Sequence, residues 1–131
     1  MKRTVGQWLL VAIGALALAL VQCLGSRVRA DGAISPTAAA SLIEEKKNLQ
    51  LIDVRTPAEY AEGHLAKAKL IPLQELQERL AEIDRGKPVL LYCRSGHRSG
   101  TASKILHDKG YAQAKDIEGG INAWTAAGLP V

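Results

Sequence analysis

The chain has 131 residues, with 17 lysines and arginines against 13 aspartates and glutamates, for a formal net charge of +4. Its composition, 47% hydrophobic and 23% charged, is typical of a folded domain and excludes a disordered chain. Four of the basic residues lie in the first thirty positions, which hold no acid, so the rest of the chain is formally neutral. A neutral domain lacks the broad positive field that nucleic-acid binding needs, so we expect no nucleic-acid partner.

Residues 1–30 have the pattern of a secretory signal peptide. Lys2-Arg3 forms a charged start, and an apolar run from Trp8 to Val21 follows. That run is shorter than the roughly 20 residues of a membrane-spanning helix. Val28-Arg29-Ala30 places small residues where a signal peptidase needs them, which predicts cleavage before Asp31. We therefore expect an exported domain over residues 31–131 that meets the membrane only during export; the alternative is an uncleaved membrane anchor.

Cleavage would change the cysteine count of the mature protein. The chain has two cysteines, Cys23 and Cys93, and only Cys93 would remain. A single cysteine cannot form an internal disulfide, and an unpaired thiol in an exported domain favours a functional role.

The elements predicted after the leader alternate between helix and strand. Ser35-Pro36 is a helix N-cap followed by proline at the first helical position. Thr56-Pro57-Ala58-Glu59 is a capping box that begins a second helix directly after a strand. Amphipathic spacing of Leu73, Leu76, Leu80 and Ile83 predicts a third helix. The full set comprises helices over 36–46, 56–61, 73–83, 101–109 and 121–126, strands over 49–54, 69–72 and 89–91 and a short strand within 111–117, with a turn at Gly119-Gly120.

This alternation predicts the fold class. Strands that alternate with helices form parallel βαβ units, hence an open parallel sheet with helices on both faces. In such sheets the site lies beyond the carboxyl ends of the strands. Asp53 and Cys93 both come at such ends, so we expect the site there, within a single domain.

Residues 92–100 carry the strongest functional signal. Cys93 ends the buried run Val89–Leu91 and is followed by a tight, glycine-containing segment and then by a helix. Backbone N–H groups and the positive end of a helix favour an anion at this position. Arg94 and Arg98 add permanent positive charge, and His97 adds charge when protonated, so we expect the reactive thiolate form of Cys93 to be favoured.

The alternative for Cys93 is an inert core cysteine, which is common. Two arginines, a histidine, two serines and two glycines within the next seven positions make that alternative the weaker one. For Asp53, Arg55, Glu59 and His64, in contrast, a structural polar network is favoured over direct catalysis. Trp124 is expected to pack in the core. The three histidines lack ligand spacing and no nucleotide-binding glycine motif occurs, so neither a metal nor a cofactor is predicted.

Several segments of the chain resemble those of a known protein family. The shared segments run from about residue 34 to the end, in family order and spacing, and resemble a single-domain rhodanese. With its leader, the chain is most similar to the small exported thiosulfate sulfurtransferases of Gram-negative bacteria, of the phage-shock-protein-E type. The matching segments are 53–55, Glu59-Tyr60, 63–65, Ile71-Pro72, 93–99, 118–121 and Trp124.

The resemblance implies a five-stranded parallel sheet and a ping-pong sulfur transfer in the periplasm. Cys93 would take the outer sulfur of thiosulfate as a persulfide and pass it to cyanide or to a thiol, with a periplasmic thiol protein as one such acceptor. The active-site loop would comprise Arg94, Ser95, Gly96, His97, Arg98 and Ser99, with Asp53 and Arg55 in support. The chain departs from the family pattern at Lys67 and Leu70, which affects the local turn.

Two other functions remain as alternatives. Cysteine phosphatases and arsenate reductases also hold a thiolate in a loop that ends in arginine, but with five intervening residues. Here four residues separate Cys93 from Arg98, which favours a smaller group than phosphate. The other alternative is a non-catalytic rhodanese-like binding module, which the presence of Cys93 disfavours.

Overall fold

The computed structural model describes residues 32–131, so the predicted leader, its cleavage point and Cys23 lie outside the described part. Strands and helices alternate along this part, as expected. They are β1 (Ala33–Ile34), α1 (Pro36–Glu45), β2 (Gln50–Asp53), α2 (Pro57–Glu62), β3 (Lys69–Leu70), a 3₁₀ segment (Leu73–Glu82), β4 (Val89–Tyr92), α3 (His97–Asp108), β5 (Ala114–Ile117) and α4 (Gly120–Ala126).

The strands form one five-stranded sheet in the order β1-β5-β4-β2-β3, and every pairing is parallel. β4 lies at the centre of the sheet and all four of its residues are buried. Burial on both faces is usual for parallel sheets, and it explains why the sequence of β4 is an unbroken apolar run. The predicted α/β class with a five-stranded parallel sheet is confirmed.

Alternating side chains of β4 enter two separate cores. Val89, Leu91 and Cys93 pack on one face with Ala102 and Leu106 of α3 and Leu76 of the 3₁₀ segment. Leu90 and Tyr92 pack on the other face, with Ala39 of α1 and Trp124 of α4. Helices therefore cover both faces. The strand alternation also decides which helix Cys93 meets, because it shares the parity of Val89 and Leu91 and so lies on the α3 face.

The predicted helix caps are confirmed. The Ser35 hydroxyl accepts the N–H of Ala38 at 3.2 Å, and Pro36 is the first residue of α1. At α2, the Thr56 side chain accepts the N–H of Glu59, and the Glu59 carboxylate accepts the N–H of Thr56 in return. These caps satisfy N–H groups that have no partner within the helix.

Two predicted helices differ from the structure in detail. The amphipathic helix predicted over 73–83 is present over Leu73–Glu82, but it is a 3₁₀ helix with a non-helical residue at Arg79. Its leucines at 73 and 76 are three apart, the repeat of a 3₁₀ helix. The short strand predicted within 111–117 is Ala114–Ile117, and the Tyr111 hydroxyl before it donates to backbone carbonyls of the 3₁₀ region. The last difference, at α3, concerns the site.

Within residues 32–131, no helix combines the length and the apolar character needed to cross a bilayer.

Candidate active site

Cys93 lies just past the carboxyl end of β4 and is 1% exposed. Its sulfur is not surrounded by apolar groups alone. The N–H of Gly96 donates a hydrogen bond to Sγ at 3.1 Å, and the hydroxyl oxygen of Ser99 lies 3.5 Å from Sγ. A sulfur that faces a backbone N–H is placed to carry negative charge, which an inert core cysteine does not require.

Gly96 allows the loop after Cys93 to turn sharply. Its φ of 98° is in the left-handed region, and a side chain there would also press on the backbone nitrogen of Gly119. α3 begins directly afterwards, at His97. The helix predicted over 101–109 therefore begins four residues earlier: His97, Arg98 and Ser99 form its first turn, and the loop itself is only Arg94, Ser95 and Gly96.

The amino end of α4 is hydrogen-bonded to the backbone at the start of the loop. The N–H of Ile121 donates to the Cys93 carbonyl at 2.9 Å, and the N–H of Asn122 donates to the Arg94 carbonyl at 3.1 Å. This contact requires glycine at position 120, where φ is 60° and an added Cβ would lie 2.6 Å from the Arg94 carbonyl oxygen and closer still to that of Cys93. From the sequence, Gly119-Gly120 predicted only a turn. The structure shows that glycine is needed at position 120 because the backbone there contacts the backbone of Cys93 and Arg94.

Glu59 neutralises part of the positive charge expected around the loop. Its carboxylate binds Arg98 through two hydrogen bonds, of 2.7 and 2.9 Å, and lies 3.7 Å from Nε of Arg94. The guanidinium of Arg98 lowers the pKa of Glu59 from 4.5 to about 2. Arg98 therefore ties α3 to α2, whereas Arg94, whose side chain is 59% exposed, is the more available cation.

Asp53 and Arg55 form a buried ion pair at the carboxyl end of β2. The shortest of their hydrogen bonds, from Nη2 of Arg55 to Oδ2 of Asp53, is 2.7 Å, and the same nitrogen donates to the Gly63 carbonyl at 2.6 Å. The guanidinium also lies over the ring of Tyr92, 5.5 Å from its centroid. The pair thus ties β2 to the chain that follows and to β4, whereas Glu59 and His64, which were expected in the same polar network, make separate contacts.

The remaining predicted residues divide between the surface and the scaffold. Ser95 and His97 are exposed on the loop and on the first turn of α3. His64 stacks on Tyr60 at 3.6 Å between ring centroids and is also hydrogen-bonded to its carbonyl. Trp124 is 5% exposed within the core, as expected, and donates to the Pro130 carbonyl.

Asp116 was missed by the sequence analysis. It lies on β5 and is 3% exposed, and its Oδ2 is 3.1 Å from the Ser99 hydroxyl that also contacts Cys93. A carboxylate inside a buried strand is rare unless it has partners. That rarity is the sequence signal that could have drawn attention to it.

A cavity of about 230 Å³ adjoins the loop on the β5 side, lined by Ala33, Ser95, Gly96, Gly100, Asp116, Glu118 and Gly119. A wider depression of about 470 Å³ over the start of α1 is lined by Ser35, Thr37, Ala38 and Ser41, none of which is titratable. The chemistry therefore belongs at the loop.

Together these features define a class of protein: a parallel α/β domain with a cysteine at the carboxyl end of its central strand, followed by a tight loop that turns the Gly96 N–H toward the sulfur. The model of the rhodanese-like domain matches residues 35–127, and the chain belongs to the rhodanese-like family.

Relatives of known name agree with this assignment. The chain is 38% identical over 89 residues to a sulfurtransferase of Allochromatium vinosum, covering 68% of this chain and 83% of the relative. It is 33% identical over 82 residues to a thiosulfate sulfurtransferase of Coxiella burnetii, covering 63% and 77%. Among solved structures, a rhodanese-related protein from Thermoplasma volcanium superimposes with a TM-score of 0.68 at 32% identity, covering 75% of this chain and 94% of that one.

Proposed function

We propose that this protein is a thiosulfate sulfurtransferase that works through a persulfide on Cys93. The observation that carries the proposal is the 3.1 Å hydrogen bond from the Gly96 N–H to the Cys93 sulfur, at the point where the loop closes. Membership of the rhodanese-like family and the names of the two relatives support the same reaction class.

The reaction has two balanced steps. The Cys93 thiolate attacks the outer sulfur of thiosulfate; a new S–S bond forms, the old one breaks, and its electron pair leaves with sulfite. Cyanide or a thiolate then attacks the outer sulfur of the persulfide, and the electron pair of the broken bond returns to Cys93. Covalent relay of this kind replaces one difficult transfer with two easier ones. No metal or cofactor is needed for either step.

The cations at the loop have different roles in this proposal. Arg94 is exposed and only loosely associated with Glu59, so it attracts the thiosulfate dianion. Arg98 forms an ion pair with Glu59, so it mainly holds the first turn of α3 in place. His97 is exposed and contributes attraction only in its protonated form.

Export completes the proposal. We propose that the leader directs the domain to the periplasm, in the manner of phage-shock-protein-E-type enzymes. A periplasmic thiol, free or on a protein, is then an acceptor as chemically suitable as cyanide, since either attacks the same outer sulfur.

The reaction is tested by the intact mass of the protein after exposure to thiosulfate. We expect the mass to rise by one sulfur atom and to return to its starting value with cyanide, with thiocyanate released. Cys93→Ser should show no gain, because a serine hydroxyl cannot form the persulfide.

The Cys93→Ser variant is also the control for Cys23, which any chain that keeps the leader retains. An equal mass gain in this variant would place the sulfur elsewhere and overturn the mechanism. Turnover of an aryl phosphate at a rate comparable to that of thiosulfate would instead support the phosphatase alternative, which the four-residue spacing disfavours.

A further inference from the structure

We propose that Asp116 is a positioning residue for the Cys93 sulfur and acts through the hydroxyl of Ser99. This deepens the proposed function, on which it rests for its role in turnover. Asp116 would hold the Ser99 hydroxyl while Cys93 is a neutral thiol, and release it to the sulfur when the sulfur becomes an anion.

The three side chains form a continuous buried line from one strand to the next. Sγ of Cys93 lies 3.5 Å from Oγ of Ser99, which lies 3.1 Å from Oδ2 of Asp116. The exposed fractions of the three residues are 1%, 0% and 3%. The strand register explains the arrangement, because Asp116 on β5 sits directly beside Leu91 on β4 and Ser99 is on the first turn of the helix that covers both.

Ser99 has a single hydroxyl proton for several acceptors. Its Oγ lies 3.3 Å from the Gly96 carbonyl and slightly closer to the Asp116 carboxylate, and hydrogen bonds to a carboxylate are the stronger kind. With the proton on the Asp116 side, Ser99 offers a lone pair to Cys93. That lone pair suits an S–H group and not a thiolate.

Ionisation of Cys93 reverses this preference. A thiolate accepts hydrogen bonds only, and it already has the Gly96 N–H. The Ser99 hydroxyl becomes a second donor only by turning away from Asp116. The carboxylate therefore competes with the anionic sulfur for one proton.

The elements around Cys93 carry other charged or titratable groups. Substitutions at Ser99 and Asp116 leave these groups unchanged, so a difference in reactivity between variants reports on Ser99 and Asp116. These groups are Asp53 and Arg55 after β2, Glu59 on α2, Arg94 in the loop, His97, Arg98 and His107 on α3, and Glu118 after β5.

The test is the rate at which iodoacetamide alkylates Cys93 in the full chain, measured across a range of pH by mass spectrometry of the Cys93 peptide. In this reaction the thiolate displaces iodide from carbon, so the rate follows the thiolate fraction and does not depend on sulfur transfer. Asp116→Asn should alkylate several-fold faster at neutral pH, with its rate profile displaced to lower pH. Ser99→Ala should alkylate roughly tenfold more slowly, since it loses a donor to a charged group.

Ser103→Ala is the matched control. Ser103 lies one turn further along α3, is fully buried, and its hydroxyl has no hydrogen-bond partner within the described residues. Its removal should leave the alkylation profile unchanged. Ser99→Thr, which keeps a hydroxyl, should restore most of the rate lost in Ser99→Ala.

The Ser99→Ala/Asp116→Asn double variant separates this relay from a simple effect of charge. If Asp116 acts through Ser99, most of the acceleration disappears in the double variant. Equal acceleration with and without Ser99, or an unchanged profile in Asp116→Asn, would overturn the proposal. Should Asp116→Asn fail to fold, Asp116→Ala gives the same test, because it also frees the hydroxyl. If the alkylation profiles shift as expected but no persulfide forms with thiosulfate, the proposed function is contradicted and the role of Asp116 is still supported.

Discussion

At the scale of single residues, Glu59 connects the scaffold with the site. Its carboxylate completes the capping box of α2 and also binds Arg98 on α3 with two short hydrogen bonds. The pKa of Glu59 is lowered to about 2, chiefly by Arg98. A group whose pKa is lower in the folded state than in the unfolded state stabilises the fold at pH values above its ordinary pKa. This contribution is lost as the pH falls toward the lowered pKa.

We therefore predict a pH-dependent cost for Glu59→Gln. At neutral pH the variant should lose about 2 kcal/mol of unfolding free energy, after allowance for solvent screening of a partly exposed pair. The difference from the parent should shrink as the pH falls from 4.5 toward about 2, where the parent also becomes neutral at this position. Urea titrations of both proteins at a series of pH values measure this difference.

Glu78→Gln is the control for the loss of one negative charge. Glu78 is exposed on the 3₁₀ segment and forms no ion pair with the residues that the structure describes. Its replacement should change stability by less than about 0.5 kcal/mol at any pH. A difference between parent and Glu59→Gln that stays constant down to the lowest pH would contradict the role given to the Arg98 pair.

At the scale of elements, the reactive loop depends on the amino end of α4. Two of its N–H groups bind the carbonyls of Cys93 and Arg94, and these bonds require the chains to approach closely at Gly120. The loop is thus held from outside its own sequence. Its geometry should change when the approach is blocked, even though every loop residue remains.

Gly120→Ala should destabilise the fold by about 3 kcal/mol, because it combines a left-handed backbone with overlap against the loop. It should also slow persulfide formation on Cys93. Gly128→Ala is matched in conformation, with φ of 77°, but has no atom within 4 Å of an added Cβ.

The cost of Gly128→Ala should therefore be only about 1 kcal/mol, from the backbone alone, with no effect on persulfide formation. Urea titration and the thiosulfate mass assay compare the two variants. Equal losses of stability and of sulfur uptake would show that the close approach at Gly120 has no particular importance for the loop.

At the scale of the whole molecule, the predicted export signal meets the folded domain with almost no linker. β1 begins at Ala33, two residues after the predicted new amino terminus at Asp31, and it pairs with β5 at the edge of the sheet. Cleavage before Asp31 would leave the pairing residues of β1 intact.

We predict that the chain, produced with its leader in a Gram-negative host, is recovered from the periplasmic fraction with Asp31 as its first residue. Amino-terminal sequencing and fractionation measure this directly. Replacing Ala30 with a bulky residue should block processing, because signal peptidase needs a small side chain there. A recovered protein that still begins at Met1 would favour the membrane-anchored alternative.

Local patterns in the chain were enough to predict the parallel α/β class, the caps at Ser35 and Thr56, and the position of Cys93 at the end of a buried strand. Each of these depends on residues within a few positions of one another, such as an apolar run or a capping box. The proposal of Cys93 as the nucleophile also has a local basis, because cysteine, arginine and glycine are adjacent in the sequence.

Contacts between distant segments settled the rest. Arg98 meets a glutamate 39 residues earlier, and Ser99 meets an aspartate 17 residues later. No periodicity links such pairs, because the fold brings Glu59 of α2 and Asp116 of β5 beside the first turn of α3. The net positive charge near the Cys93 sulfur and the orientation of the Ser99 hydroxyl depend on these tertiary contacts. The order of residues in the loop does not determine them.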